Sequence, residues 1–275
     1  MIKALRLEWL KVKNYKTFWI LLGMYFLALT IVCFGGMFLL EYLKSQGADF
    51  EGIDPTILPI YDFPDIWQNM TYLGSFLKVL LAFIVIISIT NDLTYNTLRQ
   101  NIIDGTSKKE YLIGKMSMII SMALASMIFV FFAGLINGAM YSHVWGAEYI
   151  LEGSSFLLAY AYDIIIFCCF AFLLSLLIKK SGFVIVIVFL YSLMFEPIFA
   201  VILENQPDIK ATFIPHLVPF LPIKALNNLI AVPFPRYIFR EIVDYIPFKA
   251  LAIATAWLGI YITGIMYILI KRDLK

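Results

Sequence analysis

Six long apolar stretches constrain the fold of this chain more than any other feature. Each has 20 to 26 residues, and about 20 helical residues are enough to cross the hydrocarbon core of a bilayer. The stretches are Phe18–Leu40, Thr71–Thr90, Met116–Tyr141, Phe156–Ile178, Phe183–Leu203 and Ala250–Ile270. We therefore predict an all-α, polytopic membrane protein with six transmembrane helices, in which residues 1–275 form a single transmembrane domain.

The composition agrees with this fold class. Hydrophobic residues make up 62% of the chain and charged residues 15%, so the chain is far more apolar than a soluble domain. Its basic start could suggest a cleaved signal peptide, but the apolar run that follows has 23 residues and is not followed by a small-residue cleavage site. We expect this run to be retained as the first span.

Lysine and arginine are distributed unevenly between the connecting segments. The basic set consists of residues 1–17, 91–115, 179–182 and 271–275, and the other set consists of residues 41–70, 142–155 and 204–249. The basic set carries fourteen lysines and arginines and the other set six. Because basic loops remain on the cytoplasmic side, both termini are predicted to be cytoplasmic. The basic residues then mark topology, and the net charge of +2 does not indicate a nucleic-acid partner.

The segment 91–115, hereafter the polar elbow, is the one long polar helix-forming stretch. Tyr95, Leu98, Ile102 and Ile103 recur at helical spacing, which predicts a short amphipathic helix from Asp92 to Asp104. The next residue, a glycine, suits a left-handed helix end. The four residues 107–110, Ser-Lys-Lys-Glu, fit a capping box that starts a second helix. We expect a helix, a tight turn and a helix.

This pattern resembles the first cytoplasmic loop of type-2 ATP-binding-cassette (ABC) exporter permeases. The residues that carry the resemblance, and that it implies couple the chain to an ATPase, are Asp92, Thr97, Leu98, Arg99, Ile102, Gly105, Ser107, Lys108 and Glu110, followed by Gly114-Lys115. The resemblance implies a membrane subunit that pairs with a second permease chain, as a homodimer or related heterodimer. It also implies two copies of a cytoplasmic ABC ATPase that hold ATP and Mg²⁺, with no cofactor bound by this chain. A solvated connector without a partner is the alternative.

The first residues of the chain form a second candidate contact. Ile2, Leu5, Trp9 and Val12 share one helical face, so residues 1–17 are predicted to form an interfacial helix on the cytoplasmic leaflet. The resembling family begins with such an elbow helix, which approaches the ATPase there. A simple basic anchor for the first span is equally compatible with the sequence.

Motifs for catalysis are missing from the sequence. Gly114-Lys115 is not part of a phosphate-binding loop, because Lys109 stands where the first glycine belongs and Met116 where the Mg²⁺-binding hydroxyl belongs. We therefore predict a transporter subunit without its own ATPase site, and no enzyme. His143 and His216 lack ligand companions, and Cys33, Cys168 and Cys169 fall in the apolar stretches. We predict no metal site and no disulfide.

Three charged residues lie inside the apolar stretches. Lys78, Asp163 and Glu196 are each seven residues from the outer end of their span, which places them about 10 Å deep. Because isolated charges at that depth are costly, Lys78 is predicted to contact Asp163, Glu196 or both, and so to hold the outer half of the bundle closed. Pro197 is predicted to kink the fifth span. Alternatively, Lys78 reaches up to the outer headgroups.

The apolar segment 204–249 contains too many prolines for one continuous helix. We predict short re-entrant or interfacial helices on the outer side, Ile223–Ala231 and Arg236–Tyr245 among them. An ordinary loop over the bundle is the alternative.

The substrate cannot be read from the sequence, although the apolar lining favours an amphipathic molecule. We expect a multi-pass protein of the cell membrane, the cytoplasmic membrane of a bacterium, that contacts membrane lipid. Two other functions remain open. One is a secondary transporter driven by an ion gradient through Lys78, Asp163 and Glu196. The other is a membrane-embedded lipid enzyme, which the scarcity of histidine disfavours.

Overall fold

A computed structural model describes residues 2–46, 60–144, 146–206, 213–233 and 244–271, and all regular structure in these ranges is helical. The α-helices are α1 (Ile2–Asn14), α2 (Lys16–Ser45), α3 (Asp65–Ser75), α4 (Lys78–Thr94), α5 (Thr97–Ile103), α6 (Lys108–Tyr141), α7 (Ala147–Leu151), α8 (Ser155–Ile178), α9 (Ser181–Leu190), α10 (Glu196–Asn205), α11 (Pro222–Asn227) and α12 (Phe248–Lys271). A π-helical turn, Tyr191–Phe195, joins α9 to α10, and a 3₁₀ helix, Ile214–Phe220, precedes α11.

The long helices pack together in a bundle. Five helical segments are long and apolar enough to cross a membrane, and the bent pair α3–α4 makes a sixth. The start of α6 contacts both the first and the last helix: Lys108 Nζ donates to the carbonyl of Ile270 at 3.0 Å, and Lys115 contacts Glu8 of α1. We call this end of the bundle the terminal end, and the opposite end the far end.

Helix α8 lies at the centre of the bundle. Of its most apolar stretch 61% is buried, compared with 22–39% in the other four long apolar segments. It packs against α3, α4, α6, α9 and α12. Charged groups on α8 are therefore surrounded by protein, which makes Asp163 on this helix a site of interest.

The predicted second span, Thr71–Thr90, is not one helix. It is broken into α3 and α4, which meet at an angle of 44°. At the break Phe76 and Leu77 donate their backbone N–H groups three residues back, to Leu73 and Gly74, so the turn tightens without losing its hydrogen bonds. The Gly74-Ser75 pair supplies the physical reason, since Gly/Ser pairs are common at sharp helix kinks.

The fifth span is helical throughout, but its middle is π-helical. Pro197 lies in the first turn of α10 and has no N–H for the carbonyl of Leu193, four residues earlier. The π turn covers that position, Tyr191–Phe195, and π turns are a recognised way to accommodate a break in the hydrogen-bond ladder. The disruption at Pro197 therefore begins before the proline.

The predicted outer segment, 204–249, is described in part. The predicted helix Ile223–Ala231 is shorter than expected, because α11 ends at Asn227. The predicted helix Arg236–Tyr245 lies mostly outside the described residues. The described part is fastened to the bundle, since Trp257 Nε1 donates to the carbonyl of Phe220 and Gln68 Nε2 to that of Ala231.

Two glycines on α6 allow α3 and the segment before it to pack closely at the far end. A side-chain carbon at Gly134 would overlap the ring of Trp67, and one at Gly138 the ring of Phe63. Trp67 is fully buried, and its Nε1 donates to the carbonyl of Ile150 at 2.8 Å. The small residues thus create the space that these aromatic rings fill.

Alanine at Gly134 is expected to destabilise the protein by about 1–3 kcal/mol, because the added methyl group displaces a buried and hydrogen-bonded ring. The measurement is the midpoint of thermal unfolding in detergent. Gly23→Ala is the matched control, since nothing lies within 4 Å of the added carbon at this helical glycine. Equal midpoints for the two variants would contradict the close packing at Gly134.

Candidate functional site

The first helix of the polar elbow begins later than the sequence predicts. Asp92 belongs to the last turn of α4, which continues to Thr94, and the short helix α5 starts at Thr97. Asn96 separates the two helices with φ of 55°, a left-handed conformation that asparagine tolerates better than most residues. The predicted helix Asp92–Asp104 is therefore wrong in its first part.

The second half of the polar elbow has the predicted geometry. Gly105 has φ of +91° and ends the turn after α5. The backbone N–H of Glu110 donates to Ser107 Oγ at 3.1 Å, and Glu110 Oε2 accepts from the backbone N–H of Ser107 at 2.9 Å. This reciprocal capping box starts α6. The capping box also holds the Glu110 carboxylate in a hydrogen bond at the start of α6.

The apolar residues of the polar elbow point in two directions. Leu98 is 2% exposed and Ile102 packs against the bundle, whereas Tyr95 is 72% and Ile103 74% exposed. Arg99 is also exposed. The single apolar face predicted from the sequence is therefore wrong: Leu98 and Ile102 anchor α5, and Tyr95, Arg99 and Ile103 present an outward surface.

Four charged side chains form what we call the charge cluster: Glu8 and Lys11 of α1, Asp92 of α4 and Lys115 of α6. Lys115 Nζ lies 2.8 Å from Asp92 Oδ2 and also contacts Glu8 Oε1. Lys11 Nζ lies 3.0 Å from Asp92 Oδ1. Lys115 is 1% exposed, so its charge is compensated by these two carboxylates and not by water.

Hydroxyl groups complete the charge cluster. Thr97 Oγ1 donates to Asp92 Oδ1 at 2.9 Å, and the Tyr111 hydroxyl donates to Asp92 Oδ2 at 3.2 Å. Lys115 Nζ donates to Ser88 Oγ at 2.7 Å. Because Thr97 is the first residue of α5, the cluster connects the polar elbow directly to α1, α4 and α6.

The inward face of α1 differs from the predicted one. Glu8 and Val12, one turn apart, are buried, while Trp9 is 59% exposed. The side chains of Ile2 and Leu5 lie outside the described residues. Sequence reasoning missed Glu8 and Lys115 as site residues, although Glu8 is the only acidic residue among the first seventeen. An isolated acid in a basic amphipathic helix was the available signal.

A second site lies nearer the far end, where Lys78 meets Asp163. Lys78 Nζ lies 2.8 Å from Asp163 Oδ1 and 3.0 Å from Oδ2. Both residues are buried, and the Phe167 ring centre is 5.4 Å from the ammonium. The contact predicted from matched depth is therefore present. That the pair holds the bundle closed stays a prediction.

Glu196 does not pair with Lys78. Its Oε1 accepts from the backbone N–H groups of Ile223 and Lys224, at 2.6 and 2.7 Å. The carboxylate of α10 thereby caps the start of α11. Of the predicted alternatives for Lys78, Asp163 alone is the partner. Glu196 instead meets the free amide groups at the start of α11, which satisfy one carboxylate oxygen.

A cavity of about 400 Å³ joins these groups. Lys78, Asp163 and Glu196 line it, together with apolar residues of α4, α10 and α11. Phe76, Val201 and Val232 at its rim are at least half exposed, so the cavity reaches the surface. Its volume lies within the range of small-molecule sites.

The remaining candidates offer little chemistry. Among the described residues no group of three His, Cys, Asp or Glu side chains is placed to bind a metal. Cys33, Cys168 and Cys169 are buried free thiols. His143 is an exposed residue beside Asp62, with Nδ1 3.3 Å from Oδ1.

The comparisons with known proteins do not assign the chain to a family. Neither the models of protein families nor the curated proteins give a match. Function must therefore be inferred from the polar elbow, the charge cluster and the cavity.

Proposed function

We propose that the chain is the membrane-spanning permease subunit of an ABC exporter. The resemblance of the polar elbow to that of type-2 permeases supports this proposal. In it the terminal end is cytoplasmic, and a second permease chain, identical or related, completes the route through the cell membrane. Two copies of a separate ATPase bind ATP and Mg²⁺, and the permease moves an unidentified substrate outward.

The outward surface formed by α5 and the preceding Tyr95 is the observation that carries the proposal. Tyr95 and Ile103 are large, mostly exposed apolar residues, and Arg99 is exposed between them. Tyrosine and arginine are enriched among the residues that dominate protein contacts. A short helix that presents such a surface fits a groove in a soluble partner.

The attachments of α5 explain how a partner's motion would reach the bundle. Leu98 packs into the core, and Thr97 is hydrogen-bonded to Asp92 of α4. The capping box leads directly into α6, which is continuous from Lys108 to Tyr141. A displacement of α5 would therefore move two crossing helices, and the charge cluster would transmit it to α1.

Purification of the tagged chain in mild detergent tests this proposal. We expect an ATPase of about 25–35 kDa, the size of one or two typical domains, to co-purify in equimolar amounts. The double variant Tyr95→Asp and Ile103→Asp is expected to lose at least ten-fold of the bound ATPase, since each new carboxylate must be buried without a partner. The bundle itself should be unaffected, because both side chains are exposed.

Tyr149→Asp is the matched control. Tyr149 is 40% exposed on α7 at the far end, so this variant is expected to retain the ATPase. An equimolar ATPase on the double variant would rule out α5 as the docking helix. A wild-type chain that purifies without any ATPase and transports substrate without ATP would overturn the proposal as a whole.

One observation favours a transporter driven by an ion gradient instead. Lys78, Asp163 and Glu196 line the same cavity, as residues of an ion pathway would. Reconstituted vesicles separate the two functions. An ABC exporter requires ATP and its ATPase subunit, whereas an ion-coupled transporter requires a gradient and functions as the chain alone.

A further inference from the structure

The cavity contains a buried carboxylate oxygen without a hydrogen-bond donor. Glu196 is 3% exposed, and its Oε2 accepts no hydrogen bond from the described residues. The side chain of Tyr191 lies near this carboxylate without completing a hydrogen bond to Oε2. A buried acceptor left in this state carries a large free-energy cost. Such an atom indicates a site that a ligand completes.

The two lysines that line the cavity are each paired with a carboxylate other than Glu196. Lys78 donates to both oxygens of Asp163, and Lys224 Nζ lies 3.1 Å from Glu204. No ion pair joins Glu196 to a described cation. Glu196 is therefore the one acidic residue of the described lining whose charge has no basic partner.

The two serine hydroxyls of the lining donate to backbone carbonyls of their own helices. Ser75 Oγ donates to the carbonyl of Tyr72 at 2.7 Å, and Ser192 Oγ donates to that of Val188 at 2.7 Å. Each hydroxyl proton is thus directed to its own helix, and the oxygen lone pairs remain. Beside Glu196 these two oxygens can accept from a positively charged donor.

Apart from Tyr72, Asn227 and Asn228, the rest of the lining is apolar. Leu193, Pro197 and Ile230 line the cavity, and its rim is formed in part by the exposed side chains of Phe76 and Val232. A ligand that reaches Glu196 through this rim therefore needs an apolar portion. The site combines a single anionic anchor with apolar walls.

We infer that this cavity binds an amphipathic primary ammonium ion, with its ammonium on Glu196 Oε2 and its apolar tail toward Phe76 and Val232. The ammonium supplies the missing donor and neutralises the unpaired carboxylate. The inference goes beyond the proposed function, because it concerns binding to the chain itself. It holds whether or not an ATPase drives transport.

The experiment uses the full chain in nanodiscs of phosphatidylcholine, a lipid without a primary amine. Radiolabelled n-octylamine is the probe, and unlabelled n-octylamine and N-octylacetamide are the competitors. Saturable binding is expected, with the uncharged amide at least ten-fold weaker than the amine as a competitor. This comparison needs no variant, so it does not depend on the folding of a mutant.

Glu196→Gln tests the anchor. The amide oxygen of glutamine can still accept from the N–H groups of Ile223 and Lys224, so α11 keeps its cap, while the negative charge is lost. Octylamine affinity is expected to fall at least ten-fold. Glu148→Gln is the matched control, since Glu148 is an exposed acid of α7 outside the cavity lining, and it should bind as wild type.

Replacing a tenth of the lipid with phosphatidylethanolamine identifies the source of the amine. Displacement of the probe assigns the site to a lipid headgroup, and no displacement assigns it to a free amphipathic amine. Three results would each overturn the inference: no saturable binding of octylamine, equal competition by the amide, or unchanged affinity in Glu196→Gln.

Discussion

Methionine at Lys78 is expected to destabilise the protein by roughly 3–5 kcal/mol, the usual cost of leaving one member of a buried ion pair without its partner. In wild type, Lys78 Nζ lies 2.8 Å from Asp163 Oδ1, and both side chains are buried. The variant keeps most of the apolar stem but removes the ammonium. Asp163, on the most buried helix, then has no compensating charge. Thermal unfolding in detergent measures the loss.

The double variant Lys78→Met and Asp163→Leu separates the charge from the packing. Because an apolar pair of similar size is often as stable as a buried ion pair, the double variant is expected to recover most of the stability lost by the single variant. Failure to recover would mean that the loss comes from packing, and not from the uncompensated carboxylate. Transport by the stable double variant then reports whether the pair also holds the bundle closed.

Lys224→Met is the matched control for this prediction. Lys224 also pairs with an acid, Glu204 at 3.1 Å, but both side chains are about one-third exposed. An exposed pair of this kind contributes about 0–1 kcal/mol. A loss as large as that of the buried pair would contradict the role assigned to burial.

The long apolar helices could be predicted from the sequence because apolar length is a local property. The predicted ends of the fourth and sixth spans, Phe156–Ile178 and Ala250–Ile270, lie within two residues of α8 and α12. The breaks within the spans were harder to predict. The local signal for the division of the second span at Phe76 and Leu77 is Gly74-Ser75. This signal is weak, because the apolar composition continues through the break.

Partners of the buried charges were predictable only in part. Depth counted from the span ends brought Lys78 and Asp163 together, although the second span is broken just before Lys78. The same count gave no information on Glu196, whose partners are backbone amides of α11. Those amides are free because Pro222 starts a helix there, and backbone donors carry no mark in the residue pattern.

The contact between Glu8 and Lys115 was not predictable from the sequence. Glu8 and Lys115 are 107 residues apart, and each is adjacent to residues with the ordinary features of a basic anchor or a helix start. The single apolar face predicted for the polar elbow failed for a related reason. Periodicity shows which residues share a face, but the packing of α5 against α4 decides which of them are covered.

Replacement of Lys115 is the second change for which we expect a large loss of stability. Replacement with methionine is expected to cost roughly 3–5 kcal/mol, because Glu8 and Asp92 lose the buried ammonium that they share. Asp92 keeps Lys11 and two hydroxyl donors. Glu8 keeps only Lys11, with Nζ 3.9 Å from Oε2. The larger penalty therefore falls on Glu8 and on the attachment of α1.

Hydrogen exchange of the α1 backbone separates this cause from a general loss of stability. In Lys115→Met, α1 amides are expected to exchange faster at conditions where α8 amides remain protected, because α1 detaches locally before the bundle opens. Adding Glu8→Gln to this variant removes the uncompensated charge and is expected to restore part of both stability and protection. Lys109→Met, an exposed lysine in the first turn of the same helix, should change stability by no more than about 0.5 kcal/mol. Uniform exchange along α1 and α8, with no rescue by Glu8→Gln, would show that the charge cluster does not hold α1 to the bundle.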